Sequence, residues 1–232
     1  MREIIFDTET TGLDNQQDRV IEIGGVELAN KFPTGRTFHV FINAQGKKVH
    51  PDALAVHGIT DEFLEDKPSF SEIIEEMSQI FDGAKLVAHN ANFDIGFLNA
   101  EYARLGLPPI DPGRVIDTLA LARRRHPMGP NSLDALCKRY GIDNSHRTKH
   151  GALLDAELLA EVYIEMNGGR QAALGLSEKD ASGSAQNRQN TVASTGRRPE
   201  PLPSRMSDEE RAAHQKLVEG LGEKALWNNY SD

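Results

Sequence analysis

The sequence predicts an α/β fold in which a mixed β-sheet is flanked by helices. Two observations lead to this prediction: three β-rich segments lie close together in the first 42 residues, and strand and helix patterns alternate from about residue 70 onwards. Strands joined by short connections pair antiparallel, whereas strand–helix–strand units place their strands parallel. A sheet that contains both kinds of pair is mixed.

The antiparallel part comes first. Residues 2–6 form a short apolar run, and residues 20–28 and 37–42 alternate in part between apolar and polar side chains. This period of two is typical of half-buried strands. Because few residues separate the three segments, we expect them to pair in sequence order as an antiparallel unit.

The strand–helix alternation follows. Between residues 71 and 81 the apolar side chains recur at helical spacing, and Ser69 and Glu72 have the spacing of a capping box, which indicates where that helix begins. Residues 1–167 are thereby predicted to form one folded domain. Its remaining predicted elements are strands at 85–88 and 114–117 and helices at 93–105, 118–125, 132–140 and 151–166.

The composition changes beyond this domain. Residues 177–204 are rich in Ser, Gly, Gln, Asn, Arg and Pro, so they cannot bury enough apolar area to offset the entropy lost on ordering the chain. We therefore predict a flexible linker over residues 168–204 and a tail over residues 205–232. The tail contains a second capping-box pattern at 207–210, which indicates a short helix, and the only tryptophan, Trp227.

Charge and cysteine content limit the classes of function. The net charge is −9 and the pI is about 5.4, which argues against binding duplex DNA through a broadly basic face. The basic stretches 123–125, 138–139 and 147–149 leave local phosphate contacts open, with a solvated surface as the alternative. Cys137 is the only cysteine and no run of 18 apolar residues occurs, so we expect no disulfide, no membrane contact and a cytoplasmic location.

Four acids and one histidine are the candidate catalytic residues. Asp7 and Glu9 lie two apart on the first predicted strand and so share a face, Asp94 lies near the start of a helix, and His150 precedes a helix that contains Asp155. Carboxylates suit Mg²⁺ or Mn²⁺, and a histidine beside them can act as a general base. Taken singly, the same residues also fit a polar turn, a helix-dipole acid, a surface histidine and an ordinary helix acid.

Together these segments form a specific pattern. Asp-x-Glu on a strand, then Asn90-Ala91-Asn92-Phe93-Asp94, then His-x4-Asp, in this order and spacing, resemble the DEDDh 3′–5′ exonucleases, a family with the ribonuclease H-like fold. Within it, the chain is similar to the proofreading subunits of bacterial DNA polymerase III. The further matching segments are 56–64, 67–70, 132–137 and Arg147. The resemblance is close over residues 2–166 and loose over the last quarter.

The resemblance implies a two-metal mechanism with divalent ions, Mg²⁺ or Mn²⁺. Asp7, Glu9 and Asp155 would hold the first ion, and Asp7 would bridge to a second ion that Asp94 helps to hold. His150 would be the general base. The activity would be proofreading: hydrolysis of mispaired DNA 3′ ends with release of nucleoside 5′-monophosphates.

The same resemblance assigns substrate contacts. Thr11, Leu13, His57 and Phe93 match positions that line the terminal-nucleotide pocket, where Leu13 would wedge at the last base. For Phe93, plain core packing is the alternative.

The resemblance also implies partners beyond the DNA 3′ end. Residues 171–176 are similar to a short sliding-clamp motif, with Gln171, Leu174 and Leu176 as its contacts. The tail would bind the polymerase III alpha catalytic subunit, with Trp227 as an interface anchor. A small accessory theta-like subunit is a further candidate partner.

Two other functions remain open on the sequence alone. One is a DEDDh exoribonuclease that trims RNA 3′ ends. The other is a non-catalytic scaffold that ties a polymerase to its clamp. The complete acid set argues against a scaffold, because clustered carboxylates repel one another without a bound cation.

Overall fold

The structure is a computed structural model, and it describes residues 1–147, 149–169 and 207–221. The chain divides into two units, with the described residues up to 169 in the first and residues 207–221 in the second. Several predictions lie outside the described residues: most of the linker, the clamp-motif residues Gln171, Leu174 and Leu176, and Trp227 in the tail.

A five-stranded sheet in the order β3-β2-β1-β4-β5 forms the centre of the first unit. Strands β1 and β2, and likewise β2 and β3, pair antiparallel, whereas β1–β4 and β4–β5 pair parallel. The predicted mixed sheet with an antiparallel start is therefore confirmed. The strands are β1 (Arg2–Thr10), β2 (Val20–Ala29), β3 (Phe32–Phe41), β4 (Lys85–Ala88) and β5 (Val115–Asp117).

Seven α-helices of the first unit are described. The five predicted helices are confirmed to within two residues at each end, and the capping box is present, with Glu72 accepting from the Ser69 N–H at 2.7 Å. The helices are α1 (Pro51–His57), α2 (Asp61–Leu64), α3 (Phe70–Phe81), α4 (Asn92–Arg104), α5 (Thr118–Arg125), α6 (Leu133–Tyr140) and α7 (Ala152–Met166).

Helices α1 and α2 were not predicted. Helix α1 has His50 as its N-cap and Pro51 as its first residue, and it ends at Gly58, whose φ of 76° is in the left-handed region. Proline at the start and glycine just past the end are the usual asymmetric signals of a helix. They were present in the sequence and would have predicted α1.

The two faces of the sheet carry different helices. On β1, Ile4 and Phe6 belong to a buried cluster with side chains of α3 and α4, whereas Ile5 belongs to a cluster with side chains of α5, α6 and α7. Side chains alternate across a strand. Asp7 and Glu9 therefore lie on the Ile5 face, the face covered by α7.

Gly24 on β2 lets α7 come close to that face. Gly24 is the register partner of Asp7, and a Cβ at Gly24 would lie 2.1 Å from the backbone nitrogen of Leu153 in the first turn of α7. No side chain fits in this space. The missing side chain allows the start of α7, which carries Asp155, to rest beside the end of β1.

The second unit contains α8 (Asp208–Leu221) among its described residues. Ser207 and Glu210 form the predicted capping box: the Ser207 N–H donates to Glu210 at 2.9 Å, and the Glu210 N–H donates to Ser207 Oγ at 3.2 Å. The short helix predicted in the tail is confirmed. In the described part of the chain, no helix combines the length and apolar character that crossing a bilayer requires.

Candidate active site

The five predicted catalytic residues line a single cavity of about 280 Å³. An oxygen of Glu9, an oxygen of Asp155 and a ring nitrogen of His150 all lie within 4.8 Å of one another. His150 precedes the helix and Asp155 points inward from its first turn, as the sequence predicted. The structure thus brings together side chains that are more than 140 residues apart in sequence.

Asp94 is fixed to β1 by two hydrogen bonds. Its Oδ1 accepts from the Thr8 backbone N–H at 3.1 Å and from Thr8 Oγ1 at 2.7 Å. The side chain is 2% exposed, and it lies in the first turn of α4, where the helix dipole favours a negative charge. Asp94 is thereby held beside the strand that carries Asp7 and Glu9.

Three carboxyl groups of the cavity, those of Asp7, Glu9 and Asp94, resist ionisation. Burial raises the pKa of Asp7 well above its usual range, and repulsion from Asp94, Glu9 and Asp155 raises it further. Burial, with repulsion from neighbouring acids, raises the pKa of Glu9 to about 8, and burial raises that of Asp94 to about 7. Divalent cations would reverse these shifts by stabilising the charged forms. The donor set therefore fits hard divalent ions.

Arg147 is the main residue that sequence reasoning misjudged. It lies in a stretch for which phosphate contact or solvation was expected, yet its side chain is only 8% exposed and pairs with Asp155. The Asp155 carboxylate raises the pKa of Arg147 above its already high usual value. Arg147 in turn lowers the pKa values of Asp7 and Glu9, although burial outweighs that effect.

Glu22 is a further acid that sequence reasoning missed. It is the register partner of Glu9 on the neighbouring strand, it is 3% exposed, and its Oε1 lies 2.7 Å from His39 Nε2. Directly opposed residues of an antiparallel pair point to the same face. A signal was available, since a glutamate between Ile21 and Ile23 interrupts the apolar run at the start of the strand.

A second cavity of about 460 Å³ adjoins the acidic one and shares Thr8, Glu9 and Phe93 with it. Leu13, which is 86% exposed, and His57 also line it. Burial lowers the pKa of His57, and its Nδ1 accepts from the Ile59 N–H at 3.0 Å. This cavity contains three of the four residues predicted to contact the terminal nucleotide.

Thr11, the fourth of these residues, lies elsewhere. Its side chain is fully buried and does not line the second cavity. The hydroxyl donates to Asp18 at 3.0 Å and accepts from the Arg19 N–H at 3.0 Å. In the structure the Thr11 side chain thus braces the loop between β1 and β2, which carries Leu13.

The sheet, its helices and the acidic cleft define an exonuclease, and residues 4–163 match the family model described as an exonuclease. The chain is 45% identical to the DNA polymerase III epsilon subunits of Salmonella typhimurium and of Escherichia coli K12, over 97% of this chain and 97% of each relative. It is 49% identical to that of Rickettsia felis over 77% of this chain and 80% of the relative. The chain belongs to the family of DNA polymerase III epsilon subunits. It functions as a metal-dependent 3′–5′ exonuclease in proofreading.

Solved structures agree on the fold. Exonuclease X in complex with 5′ overhanging duplex DNA is 29% identical, with a TM-score of 0.55 over 76% of this chain and 95% of that chain. The nuclease domain of 3′hExo, a DEDDh family member bound to rAMP, is 18% identical, with a TM-score of 0.61 over 72% of this chain and 91% of that chain. The ribonuclease H-like exonuclease fold is confirmed.

Proposed function

We propose that the acidic cavity hydrolyses the last phosphodiester of a DNA 3′ end and releases a nucleoside 5′-monophosphate. The observation that carries this proposal is that acids from three distant segments line one cavity, whose only arginine or lysine among the described residues is Arg147. Carboxylate oxygens suit Mg²⁺ or Mn²⁺, and two such ions would offset the excess negative charge. Asp7, Glu9 and Asp155 would hold one ion, and Asp7 and Asp94 the other.

His150 is proposed as the general base. Its side chain is 47% exposed and lies in a loop, so attacking water can reach it, and its Nδ1 is 3.3 Å from Asp155 Oδ2. Imidazole exchanges protons near neutral pH. When bound, the two ions offset the charge that develops on the phosphoryl oxygens and make water easier to deprotonate.

The second cavity is proposed to hold the terminal nucleotide. Its volume and its exposed apolar Leu13 suit a nucleoside, and the shared edge at Glu9 and Phe93 would place the scissile phosphate in the acidic cavity. Phe93 would pack against the sugar, and His57 would offer a ring nitrogen. A mispaired end enters more readily because it costs less to unpair, and this difference becomes selectivity for errors.

The test is release of mononucleotides from a 3′-labelled DNA oligonucleotide with Mg²⁺ or Mn²⁺. We expect Asp7→Ala to lower the rate by about a thousandfold or more, because several kcal/mol of transition-state stabilisation would be lost. Asp66→Ala, at an aspartate that is 79% exposed, is the matched control and should keep the parent rate. Parent-like activity of Asp7→Ala would refute the site, and a strong preference for an RNA oligonucleotide of equal length would refute the DNA substrate.

We also propose partners for the tail and a cytoplasmic location. The epsilon relatives are named as subunits of DNA polymerase III, which supports binding of this chain to a polymerase catalytic subunit. Gln171, Leu174 and Leu176 are proposed to bind a sliding clamp, on the likeness of residues 171–176 to a clamp motif, and a theta-like subunit is a further proposed partner. A linker between such contacts raises the effective concentration of the exonuclease. If a form ending at residue 168 captures the catalytic subunit as well as the full chain does, the tail assignment fails.

A further inference from the structure

The loop between β1 and β2 is organised around the carboxylate of Asp18. Its Oδ1 accepts a hydrogen bond from Thr11 Oγ1 at 3.0 Å, and its Oδ2 accepts from the Asp14 backbone N–H at 3.0 Å. Lys47 Nζ, from the segment after β3, forms an ion pair with Oδ1 at 3.0 Å. The Asp18 backbone N–H also donates to the Asp14 carbonyl at 2.7 Å. One side chain thus ties together two points of its own loop and a lysine from another segment.

Leu13 lies between the two points of the loop that Asp18 holds. Its side chain is largely exposed, so its own packing does not fix it. Thr11 is two residues before Leu13, and Asp14 follows it directly. The carboxylate also fills the space beside Gly12, since a Cβ there would lie 2.5 Å from Asp18 Oδ2. The place of Leu13 in the second cavity is therefore set by the backbone that carries it, and Asp18 holds that backbone.

Asp18 is ionised at neutral pH. Burial alone would raise its pKa, but hydrogen bonds from the Asp14 N–H, Lys47 and Thr11 outweigh burial and lower the pKa. An ionised carboxylate only accepts hydrogen bonds, whereas an amide of the same shape has an NH₂ group that only donates. In Asp18→Asn this NH₂ group would face a donor, either the Asp14 N–H or the Lys47 ammonium. The substitution should therefore loosen the loop although it hardly changes the volume of the side chain.

We propose that Asp18 is a positioning residue that holds Leu13 against the terminal nucleotide of the DNA 3′ end. The inference rests on the proposed function of the second cavity. Asp18 also lines that cavity, but its charge would repel a DNA phosphate and its oxygens already accept from donors of the protein. It therefore acts on nucleotide binding through Leu13.

The test is a double-variant cycle on a single-stranded DNA oligonucleotide with Mg²⁺. Leu13→Ala and Asp18→Asn should each raise KM by about 5- to 10-fold, because an apolar contact with the base is lost, and kcat should stay within about twofold. The KM of the double variant should lie within about twofold of that of Leu13→Ala, because the two residues act as one unit. The inhibition constant of thymidine 5′-monophosphate should rise in step with KM, since this ligand reports binding of a single nucleotide.

Other variants separate positioning from charge and from folding. Loss of one negative charge would by itself strengthen the binding of polyanionic DNA, so a raised KM for Asp18→Asn has the opposite sign from a charge effect. Gly12→Ala displaces the Asp18 carboxylate without changing the charge, and it should also raise KM. Asp111→Asn is the matched control and should keep the parent KM, because Asp111 accepts a backbone N–H within a different loop, from Gly113 at 2.8 Å.

The outcomes distinguish this inference from the proposed function. If Leu13→Ala raises KM but Asp18→Asn does not, only the positioning role is wrong. If the two effects multiply in the double variant, Asp18 acts independently of Leu13, which also overturns the inference. If neither variant raises KM while Asp7→Ala abolishes activity, the acidic cavity is correct, but the nucleotide contact of Leu13 and the role of Asp18 both fail. A fall in kcat with unchanged KM would mean that the loop acts on Glu9 instead, and this too would overturn the inference.

Discussion

Two buried groups of charges in this domain are built in opposite ways. On one side, Glu101 of α4 is 1% exposed and receives a bidentate contact from Arg19 at 2.7 and 2.8 Å. Arg104 adds a third contact at 3.1 Å. Two arginines thus pair with this one carboxylate. Arg104 also donates to backbone carbonyls of the loop between β1 and β2.

In the acidic cavity, by contrast, the carboxyl groups outnumber the cationic side chains. Burial raises the pKa values of Asp7, Glu9 and Asp94, and repulsion from neighbouring acids adds to it. Arg147 is the only arginine or lysine that lines the cavity among the described residues. A buried charge that serves stability has its partner within the chain. An excess of buried acids over cations indicates a site that receives its cations from solution, at a cost in the stability of the ion-free protein.

The largest change in the free energy of unfolding should come from Glu101, the buried acid that is paired with arginines. Glu101→Gln leaves Arg19 and Arg104 without their shared carboxylate, so the free energy of unfolding should fall by about 3 kcal/mol. Urea unfolding at pH 7 in the presence of EDTA measures the change. Glu75→Gln, at an exposed position of α3, is the matched control, with an expected change within about 0.5 kcal/mol. A loss below about 1 kcal/mol at Glu101 would mean that its pairing contributes little.

The second effect is stabilisation by divalent ions. Mn²⁺ at about 100 times its dissociation constant should add about 2.7 kcal/mol at pH 8. The Glu9 pKa is raised from 4.5 to about 8 in the folded state, so its protonation favours the ion-free fold at low pH, and this stability is lost as pH rises through about 8. Since ions compete with protons, their stabilising effect should grow over the same pH range.

Thermal unfolding with Mn²⁺ or EDTA at pH 5.5 and pH 8 measures this difference. The Glu101→Gln variant should keep the full ion-dependent gain, because Glu101 has its own cations. An ion effect as large at pH 5.5 as at pH 8 would contradict the argument that protons on Asp7, Glu9 and Asp94 compete with the ions.

The sequence predicted most of the fold because periodicity reports which face of an element is buried. The sequence pattern placed the start of β3 at residue 37, whereas the strand begins at Phe32. The reason is the turn before it: Asn30 and Lys31 take positive φ angles of 52° and 70°, which join β2 to β3 directly. Such two-residue turns usually contain glycine, so a turn with lysine at the second position gave no recognisable signal.

The candidate site likewise contains some residues that the sequence predicted and others that it did not. Asp7, Glu9 and Asp155 were predicted because a motif and a strand period place them on known faces. Glu22 becomes a neighbour of Glu9 only through the antiparallel register, and Arg147 becomes buried only because α6 and α7 meet beside its loop. Contacts between elements depend on register and packing, which spacing along one chain does not report.

The smallest effect has the opposite sign from the first. Glu9→Gln makes the same chemical change as Glu101→Gln, but it removes a charge that Glu22, Asp155 and Asp94 repel. In EDTA at pH 8.5 the variant should therefore be more stable than the parent by about 1 kcal/mol. In saturating Mn²⁺ the order should reverse, because the variant has lost an ion ligand. Urea unfolding under both conditions decides the matter, and a Glu9→Gln variant that is destabilised in EDTA would show that the cavity acids are already compensated within the chain.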